Sequence, residues 1–327
     1  MRLRVDHGSL VVQNGFTHYP QERGQWRFFP GEWRLPSRIV LLDVDGAISF
    51  DALGWLSAQH IPLVQIDWRG EVLHVTGGTG HVFDREAIKS QLMAQKDGRG
   101  FKFAQRLITE KIANSIDTLR QSFPNGPATE MVVGKLAYTL GEMKRRPPRM
   151  LSDLLGIEGR AGLAYFAGWQ FYPLRWRGIG RHPIPEDWKR IGKRLSRVSG
   201  RNHRNRHATH PVNAMLNYAY AMLESRVRMQ VLASGLDPTI GYLHGSYRGK
   251  EALVLDLMEP LRPVVDRGLL ALVRQHVFEP GDFTLTNEGV CRLNPQLTRA
   301  VAQQCSVDTY RGPTFLPRRP ISPKRVR

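Results

Sequence analysis

The chain has 327 residues, enough for two domains with a core each, and its 47 Lys and Arg against 29 Asp and Glu give a formal charge of +18. That charge predicts a polyanionic partner, with a solvated basic surface that binds nothing specific as the alternative. Two cysteines without a CxxC pair argue against a disulfide framework or a zinc finger, and the lack of a signal peptide or an apolar run of roughly 20 residues predicts a cytoplasmic protein without a membrane partner.

The first eighty residues are predicted to be rich in β-structure. Short apolar or alternating runs with turn residues between them predict strands at 10–12, 38–43, 62–67 and 71–75. One short helix is predicted among them, at 51–59, between the runs AISF and IPLV, which gives a strand, short helix, strand order. The glycine-rich stretch 77–80 then ends this part of the chain.

Beyond it the apolar spacing becomes helical. Residues 101–123 carry an amphipathic stripe that a Pro-Asn-Gly sequence stops, and further helices are predicted around 127–144, 152–170, 210–233 and 256–277. We therefore predict an α+β protein with three parts: a small β-rich domain at 1–82, a larger all-helical domain at 83–310, and a basic, proline-broken and disordered tail at 311–327.

The predicted helix at 210–233 has a plausible N-cap at Thr209 and Pro211 in its first turn. Its apolar stripe is expected to be core. Asn213 and Asn217 lie beside that stripe, four residues apart. They are candidate DNA contacts, with ordinary exposed amides as the alternative.

The most informative residues are one histidine and three acids. His244 precedes Asp256 and Glu259, which share a face on a helical turn, and Glu158 lies upstream. A histidine with two or three carboxylates suits Mn²⁺ or Mg²⁺, so on this basic chain the set indicates metal-assisted chemistry on phosphodiesters. Each residue alone has an ordinary alternative: a surface carboxylate, a satisfied histidine, or an acid pair at a helix start.

The surroundings of the acids refine this prediction. Pro260 and Pro263 cannot donate backbone hydrogen bonds, so the turn of Asp256 and Glu259 is expected at a helix start or break. Small residues thin one side of the helix that carries Glu158, at a cost of about 1 kcal/mol per glycine. We therefore expect another backbone to approach closely there and Glu158 to be held against a neighbouring helix.

Five stretches carry a resemblance to one family. They are DGAISFDALGWLSAQHIPLVQIDWRG with Ser49 and Trp55, LLGIEGRAGLAYF with Glu158, HPVNAMLNYAYAMLE, GLDPTIGYLHG with His244, and LVLDLMEPLRPVVD. In this order, over about residues 36–265, they resemble the CRISPR-associated integrases, the DNA endonucleases of spacer acquisition. The resemblance implies that Glu158, His244 and Glu259 bind Mg²⁺ or Mn²⁺. Asp256 is then a nearby acid or an alternative ligand, and Arg262 faces phosphate or braces a carboxylate.

The resemblance also implies an architecture and a reaction. It implies a β-sandwich N-terminal domain that forms a homodimer, a helical catalytic domain, and two dimers flanking a dimer of a small ferredoxin-like second adaptation protein. The implied reaction inserts short double-stranded DNA fragments as spacers into a repeat array by transesterification. Alternatives are a transposon-type integrase, a branched-DNA repair nuclease, or a DNA-binding scaffold without chemistry.

The stretch between Trp169 and Pro211 departs from the family by its length. From Trp188 to Leu223 it has no acid, and it supplies eight cations: Lys189, Arg190, Lys193, Arg194, Arg197, Arg201, Arg204 and Arg206. Contact with DNA phosphates is predicted, with a solvated loop as the alternative. Trp176 and Trp188 are predicted either to stack on a splayed base or to pack in a core.

Overall fold

The computed structural model describes residues 1–13, 24–36, 38–42, 46–67, 71–76, 84–170, 172–192, 208–245 and 250–305. Over these residues the protein is α+β, with strands in the N-terminal part and mostly helices after it. None of the helices in these ranges combines the length and apolar character that a membrane span requires. The tail predicted at 311–327 lies outside the described residues.

The N-terminal strands form two sheets. The first has the order β3-β2-β1-β5 and the second the order β4-β6-β7, with β1 (Arg2–Asp6), β2 (Ser9–Gln13), β3 (Gln25–Phe28), β4 (Ile39–Leu42), β5 (Ala47–Ile48), β6 (Leu63–Ile66) and β7 (Val72–Thr76). Four of the predicted strands correspond to β2, β4, β6 and β7, and the strand predicted at AISF before the short helix corresponds to β5, whereas β1 and β3 were missed. β1 and β2 form an antiparallel hairpin whose two turn residues, His7 and Gly8, have φ of 48° and 77°, as a tight hairpin turn requires.

Both sheets contribute to one hydrophobic cluster. Helix α1 (Phe50–Ala58) begins after Ser49, whose side chain accepts a hydrogen bond from Ala52 N. Trp55 of α1 donates its indole N–H to Gly8 O at 2.9 Å. The cluster is Leu3, Leu10, Val12, Ile39, Ala52, Trp55, Leu56, Ile61 and Leu63.

The remaining chain is mostly, but not entirely, helical. Its helices are α2 (Arg85–Lys96), α3 (Arg99–Ser122), α4 (Pro127–Arg145), α5 (Leu151–Ala167), α6 (Pro211–Ala233), α7 (Ala252–Met258), α8 (Arg262–Gln275) and α9 (Pro295–Gln304). A short hairpin, β8 (Phe283–Leu285) with β9 (Cys291–Leu293), corrects the all-helical prediction. The helix predicted at 256–277 is observed as the end of α7 and α8, with the break expected from Pro260 between them. The chain breaks between α7 and α8 because Pro260 has no N–H for an intrahelical bond.

The chain folds as two compact units. One comprises Met1–Gly80, Phe166–Ser225 and Asp266–Cys305, and the other includes His81–Tyr165 and Arg226–Val265. The predicted domain boundaries at 82 and 310 stay predictions. All four predicted acid and histidine residues belong to the second unit.

The first unit contains an aromatic cluster, formed by Trp176, Trp188, Phe278 and Phe283. Trp188 is 4% exposed, lies 6.1 Å from Trp176 between ring centroids, and donates its indole N–H to Thr209 O. Of the two predictions for Trp188, the structure supports core packing. His210, and not Thr209, precedes α6 and accepts a hydrogen bond from Val212 N through Nδ1.

Candidate active site

Three parts of the second unit bring the acids and the histidine together. α5 carries Glu158, the loop after α6 carries His244, and α7 carries Asp256 in its last turn. Glu259 follows α7 directly, and its N–H bonds to Asp256 O. The helix break predicted from Pro260 therefore presents both Asp256 and Glu259 to the same imidazole ring.

Asp256 braces the histidine loop. It is fully buried, and its Oδ2 accepts hydrogen bonds from Tyr242 N at 2.5 Å and Leu243 N at 2.9 Å. Its Oδ1 accepts from His244 N at 2.9 Å and lies 2.8 Å from His244 Nδ1. A carboxylate in this position keeps the imidazole hydrogen on Nδ1 and leaves Nε2 as the free electron-pair donor. This geometry suits Asp256 for orienting His244, and it does not suit Asp256 for binding a metal itself.

Gly241 allows the loop to lie so close to α7. A Cβ at this position would stand 2.6 Å from Ala252 Cβ and 3.0 Å from Asp256 Oδ2. Gln95 of α2 fixes the same turn by donating to Gly241 O at 2.9 Å. The loop is thus held from two sides, by backbone hydrogen bonds to Asp256 and by a side chain of α2.

Glu259 lies among cations and the imidazole. It is 3% exposed, with Oε2 2.5 Å from Lys111 Nζ and Oε1 3.5 Å from Arg262 Nε and 4.0 Å from His244 Nε2. Burial alone would raise the pKa of this carboxyl, but the charges of Arg262 and Lys111 outweigh burial and hold the pKa below its usual value. Glu259 is therefore an ionised carboxylate. The ion pair of Arg262 with Glu259 fits the brace that the resemblance implies, and its contact with phosphate stays a prediction.

Lys111 is the functional residue that the sequence analysis missed. Its ammonium on α3 bonds to Glu158 Oε1 and to Glu259 Oε2, and its side chain is 15% exposed. A signal was present in the sequence. Lys111 stands four residues after Leu107 and four before Ser115, both buried, so a lysine occupies the buried stripe of an amphipathic helix.

The same face of α3 also holds the turn that carries Glu259. Asn114 donates its side-chain N–H to Pro260 O at 2.8 Å, and Thr118 donates its hydroxyl to Pro263 O at 2.6 Å. Pro260 O lies in the break between α7 and α8, and Pro263 O lies in the first turn of α8. α3 therefore satisfies the backbone of the break and places Lys111 against the acids.

Glu158 is held against a neighbouring helix, as predicted, but by a side chain and not by a close approach of two backbones. At Gly156, Gly159 and Gly162 of α5, no backbone of another element in the described residues lies within 4 Å of where a Cβ would stand. The expected close backbone approach is therefore wrong at these positions. Contact with a neighbouring helix does occur, because Lys111 of α3 reaches Glu158, whose side chain stays 28% exposed.

The donor set suits a divalent cation in its chemistry. Glu158 and Glu259 offer carboxylate oxygens, and His244 offers Nε2, which are donors that Mg²⁺ or Mn²⁺ accepts. Both carboxylates converge on one cation, the ammonium of Lys111. Within the described ranges, however, no three His, Cys, Asp or Glu side chains stand in the arrangement of a ready-made metal cage. The donor types fit a divalent metal, while Glu158 Oε1 and Glu259 Oε2 bond to Lys111.

The predicted DNA contacts fall into two groups. Lys189 and Arg190 are exposed, and Lys189 pairs with Glu186 at 2.6 Å. Asn213 is buried, which excludes the exposed-amide alternative for it, and Asn217 is half-buried. The other predicted contacts lie outside the described residues: Lys193, Arg194, Arg197, Arg201, Arg204 and Arg206.

The family follows from comparison with known proteins. Residues 2–306 match the family model described as CRISPR associated protein Cas1. The chain belongs to the Cas1 family. A CRISPR-associated endonuclease Cas1 of Archaeoglobus fulgidus is 31% identical over 91% of this chain and 85% of the relative. A Cas1 endonuclease of Thermus thermophilus is 29% identical over 92% of this chain and 81% of its own length. The predicted resemblance is confirmed.

Solved structures share the Cas1 fold of this chain. A casposase bound to an integration product matches with a TM-score of 0.73 and 22% identity, over 93% of this chain and 79% of the casposase chain. A Cas1 protein from Thermotoga maritima matches with a TM-score of 0.66 and 19% identity, over 93% and 87% of the two chains. A chain of a Cas6-RT-Cas1–Cas2 complex matches with a TM-score of 0.65 and 18% identity, over 93% of this chain and 30% of that one.

Proposed function

We propose that this Cas1 family member is a divalent-metal-dependent DNA endonuclease and integrase that inserts short DNA fragments as spacers into a CRISPR repeat array. The observation that carries the proposal is the convergence of Glu158, Glu259 and His244 in one unit of a chain with a formal charge of +18. Family membership favours immunity over the transposon and repair alternatives, since the curated relatives are CRISPR-associated endonucleases.

The residues divide the chemical work. Glu158, Glu259 and His244 Nε2 would hold Mg²⁺ or Mn²⁺, which would supply positive charge to phosphate oxygens and make an attacking hydroxyl more acidic. Asp256 fixes the tautomer and orientation of His244. Arg262 keeps Glu259 ionised.

The reaction is an exchange of phosphate esters. The 3′-hydroxyl of a captured fragment attacks a phosphodiester of the repeat, one P–O bond forms, and the bond to the leaving 3′-oxygen breaks. The number of ester bonds is conserved, so no external energy source is needed. The protein lowers the barrier by holding both DNAs in line. Water in place of the 3′-hydroxyl gives the endonuclease reaction.

The proposed assembly is a homodimer that binds double-stranded DNA and a small second CRISPR adaptation protein with a ferredoxin-like fold. Support comes from the shared fold with a chain of the Cas6-RT-Cas1–Cas2 complex. The N-terminal domain, in which two sheets share one hydrophobic cluster, is the proposed β-sandwich and dimerisation domain. Light scattering at micromolar concentration tests the dimer, and a monomer that integrates both strands would contradict it.

The test of the activity is strand transfer of a fluorescent duplex into a supercoiled repeat plasmid with Mn²⁺ or Mg²⁺. Glu158→Ala, His244→Ala and Glu259→Ala should each abolish transfer while DNA binding persists. Glu130→Ala, which removes an exposed acid of α4 in the same unit, is the matched control and should transfer normally. Full activity of His244→Ala at limiting metal would overturn the assignment.

A further inference from the structure

Lys111 bonds to both carboxylates that are proposed to bind the metal. An ammonium group has no free electron pair, so Lys111 cannot be a metal ligand itself. Its Nζ lies 2.5 Å from Glu259 Oε2 and bonds to Glu158 Oε1 at the same time. Only 15% of the side chain is exposed, so the three groups form a shielded charge cluster. The ammonium of Lys111, a monovalent cation, therefore bonds to the same two carboxylates that would bind a divalent cation.

The reason for such a cation is electrostatic. Glu259 is almost fully buried, and two carboxylates that share one site repel each other unless a positive charge stands between them. Lys111 supplies that charge before any metal binds. A divalent ion on the same oxygens would repel the ammonium, so both cations cannot hold the two carboxylates together.

We propose that Lys111 is the built-in counter-cation of the metal centre, which keeps Glu158 and Glu259 in place without metal and leaves them when a divalent ion binds. The proposal rests on the proposed metal-dependent function. Once it is displaced, the ammonium at this site becomes a donor to a DNA phosphate oxygen. Metal and DNA therefore bind cooperatively, because DNA gives the displaced ammonium a new partner.

The test measures Mn²⁺ affinity of the full-length protein by calorimetry and by electron paramagnetic resonance of free Mn²⁺. Lys111→Met removes the competitor and should bind Mn²⁺ about tenfold more tightly than wild type, within the usual range of coupling between two cations. Lys102→Met removes an exposed lysine of the same helix and should bind like wild type. A short DNA duplex should tighten Mn²⁺ binding in wild type and do so less in Lys111→Met.

A thermal denaturation series supplies a second readout. In EDTA, Lys111→Met should have a lower melting temperature than wild type, because two acids lose their shared partner. Addition of Mn²⁺ should raise the melting temperature of Lys111→Met by more than it raises that of wild type. Lys111→Gln, which keeps a hydrogen-bond donor without the charge, is measured alongside, and it decides both measurements alone if Lys111→Met does not fold.

The outcomes separate this inference from the proposed function. Wild type that binds Mn²⁺ while both Lys111 variants bind it equally or more weakly would overturn the counter-cation role and leave the metal centre standing. Absence of Mn²⁺ binding in wild type and in both variants would overturn the metal centre itself, and the role of Lys111 with it. Tighter binding in the variants, with Lys102→Met unchanged, supports both.

Discussion

Two regions of this protein bury ionisable groups, and the pKa values of those groups shift in opposite directions. Glu259 lies in a charged site, where burial would raise its pKa but Arg262 and Lys111 lower it. Cys291 and Cys305 are free, buried thiols of the first unit, where burial raises the pKa of both. Burial therefore does not decide the charge of a group by itself. The cations placed beside the group decide it, and in this protein they stand at the acids.

The largest effect on stability is expected in the apolar region. Trp188→Ala removes a side chain that stacks on Trp176 inside the aromatic cluster, and it should lower the free energy of unfolding by about 3–5 kcal/mol. Urea denaturation followed by circular dichroism measures it. Trp33→Ala, at a side chain 84% exposed, is the control and should change stability by less than about 0.5 kcal/mol. Equal losses in both variants would contradict the core assignment of Trp188.

The charged site should lose both stability and metal affinity when its brace is weakened. Asp256→Asn keeps the shape of the side chain but turns its amide N–H₂ toward two hydrogen-bond donors. We expect a loss of about 3 kcal/mol in unfolding free energy and a Mn²⁺ affinity lower by roughly tenfold or more. Asp117→Asn, at an exposed acid of α3, is the matched control. Unchanged Mn²⁺ binding in Asp256→Asn would show that His244 needs no orientation by Asp256.

The raised pKa values of the two thiols lead us to expect that stability falls at alkaline pH. In the folded protein burial raises the pKa of Cys305 to about 12, with Asp266 adding to it, and raises that of Cys291 as well. An unfolded thiol ionises near pH ~8.5. Stability is thus fully present below that pH and falls as the pH rises through the folded pKa values, by about 1.4 kcal/mol per pH unit for each thiol.

Urea denaturation at about pH 8, 9 and 10 measures this slope. The double variant Cys291→Ala, Cys305→Ala removes both thiols and should lose their part of the pH dependence, while other alkaline groups act equally on both proteins. The same slope in wild type and double variant would mean that neither thiol stays neutral in the fold.

Local chemistry explains which features the sequence could predict. Hydrophobic periodicity located most helices, and Pro260 located the break beside Glu259, because these signals act within one turn of chain. The family motifs named Glu158, His244 and Glu259 as partners. β3 was missed because three of its four residues are exposed, which leaves little apolar pattern, whereas RLRVD of β1 alternates and carried a signal that could have been used.

Contacts across long sequence distances were harder to predict. Lys111 is 47 residues from Glu158 and 148 from Glu259, so only its place on a buried stripe pointed to a role. The resemblance left Asp256 open as a nearby acid or an alternative ligand, and its contacts with backbone N–H groups of the His244 loop favour the nearby acid. The glycines of α5 suggested that the backbone of another helix lies close to Glu158. Instead, the side chain of Lys111 reaches Glu158 from α3.

The smallest expected effect contrasts two glycines near the site, one next to Glu158 in α5 and one in the His244 loop. Gly159→Ala adds a methyl group where nothing lies within 4 Å, in the middle of α5, and should raise stability by about 0.5–1 kcal/mol through helix propensity. Gly241→Ala places its Cβ against Ala252 and Asp256, so it should lower stability and Mn²⁺ affinity together. Chemical denaturation and Mn²⁺ calorimetry on both variants measure the contrast. If Gly159→Ala destabilises the protein, α5 packs closely against a neighbour at this position. If Gly241→Ala binds Mn²⁺ normally, the His244 loop tolerates a shift, and its tight fit to Asp256 is not required for Mn²⁺ binding.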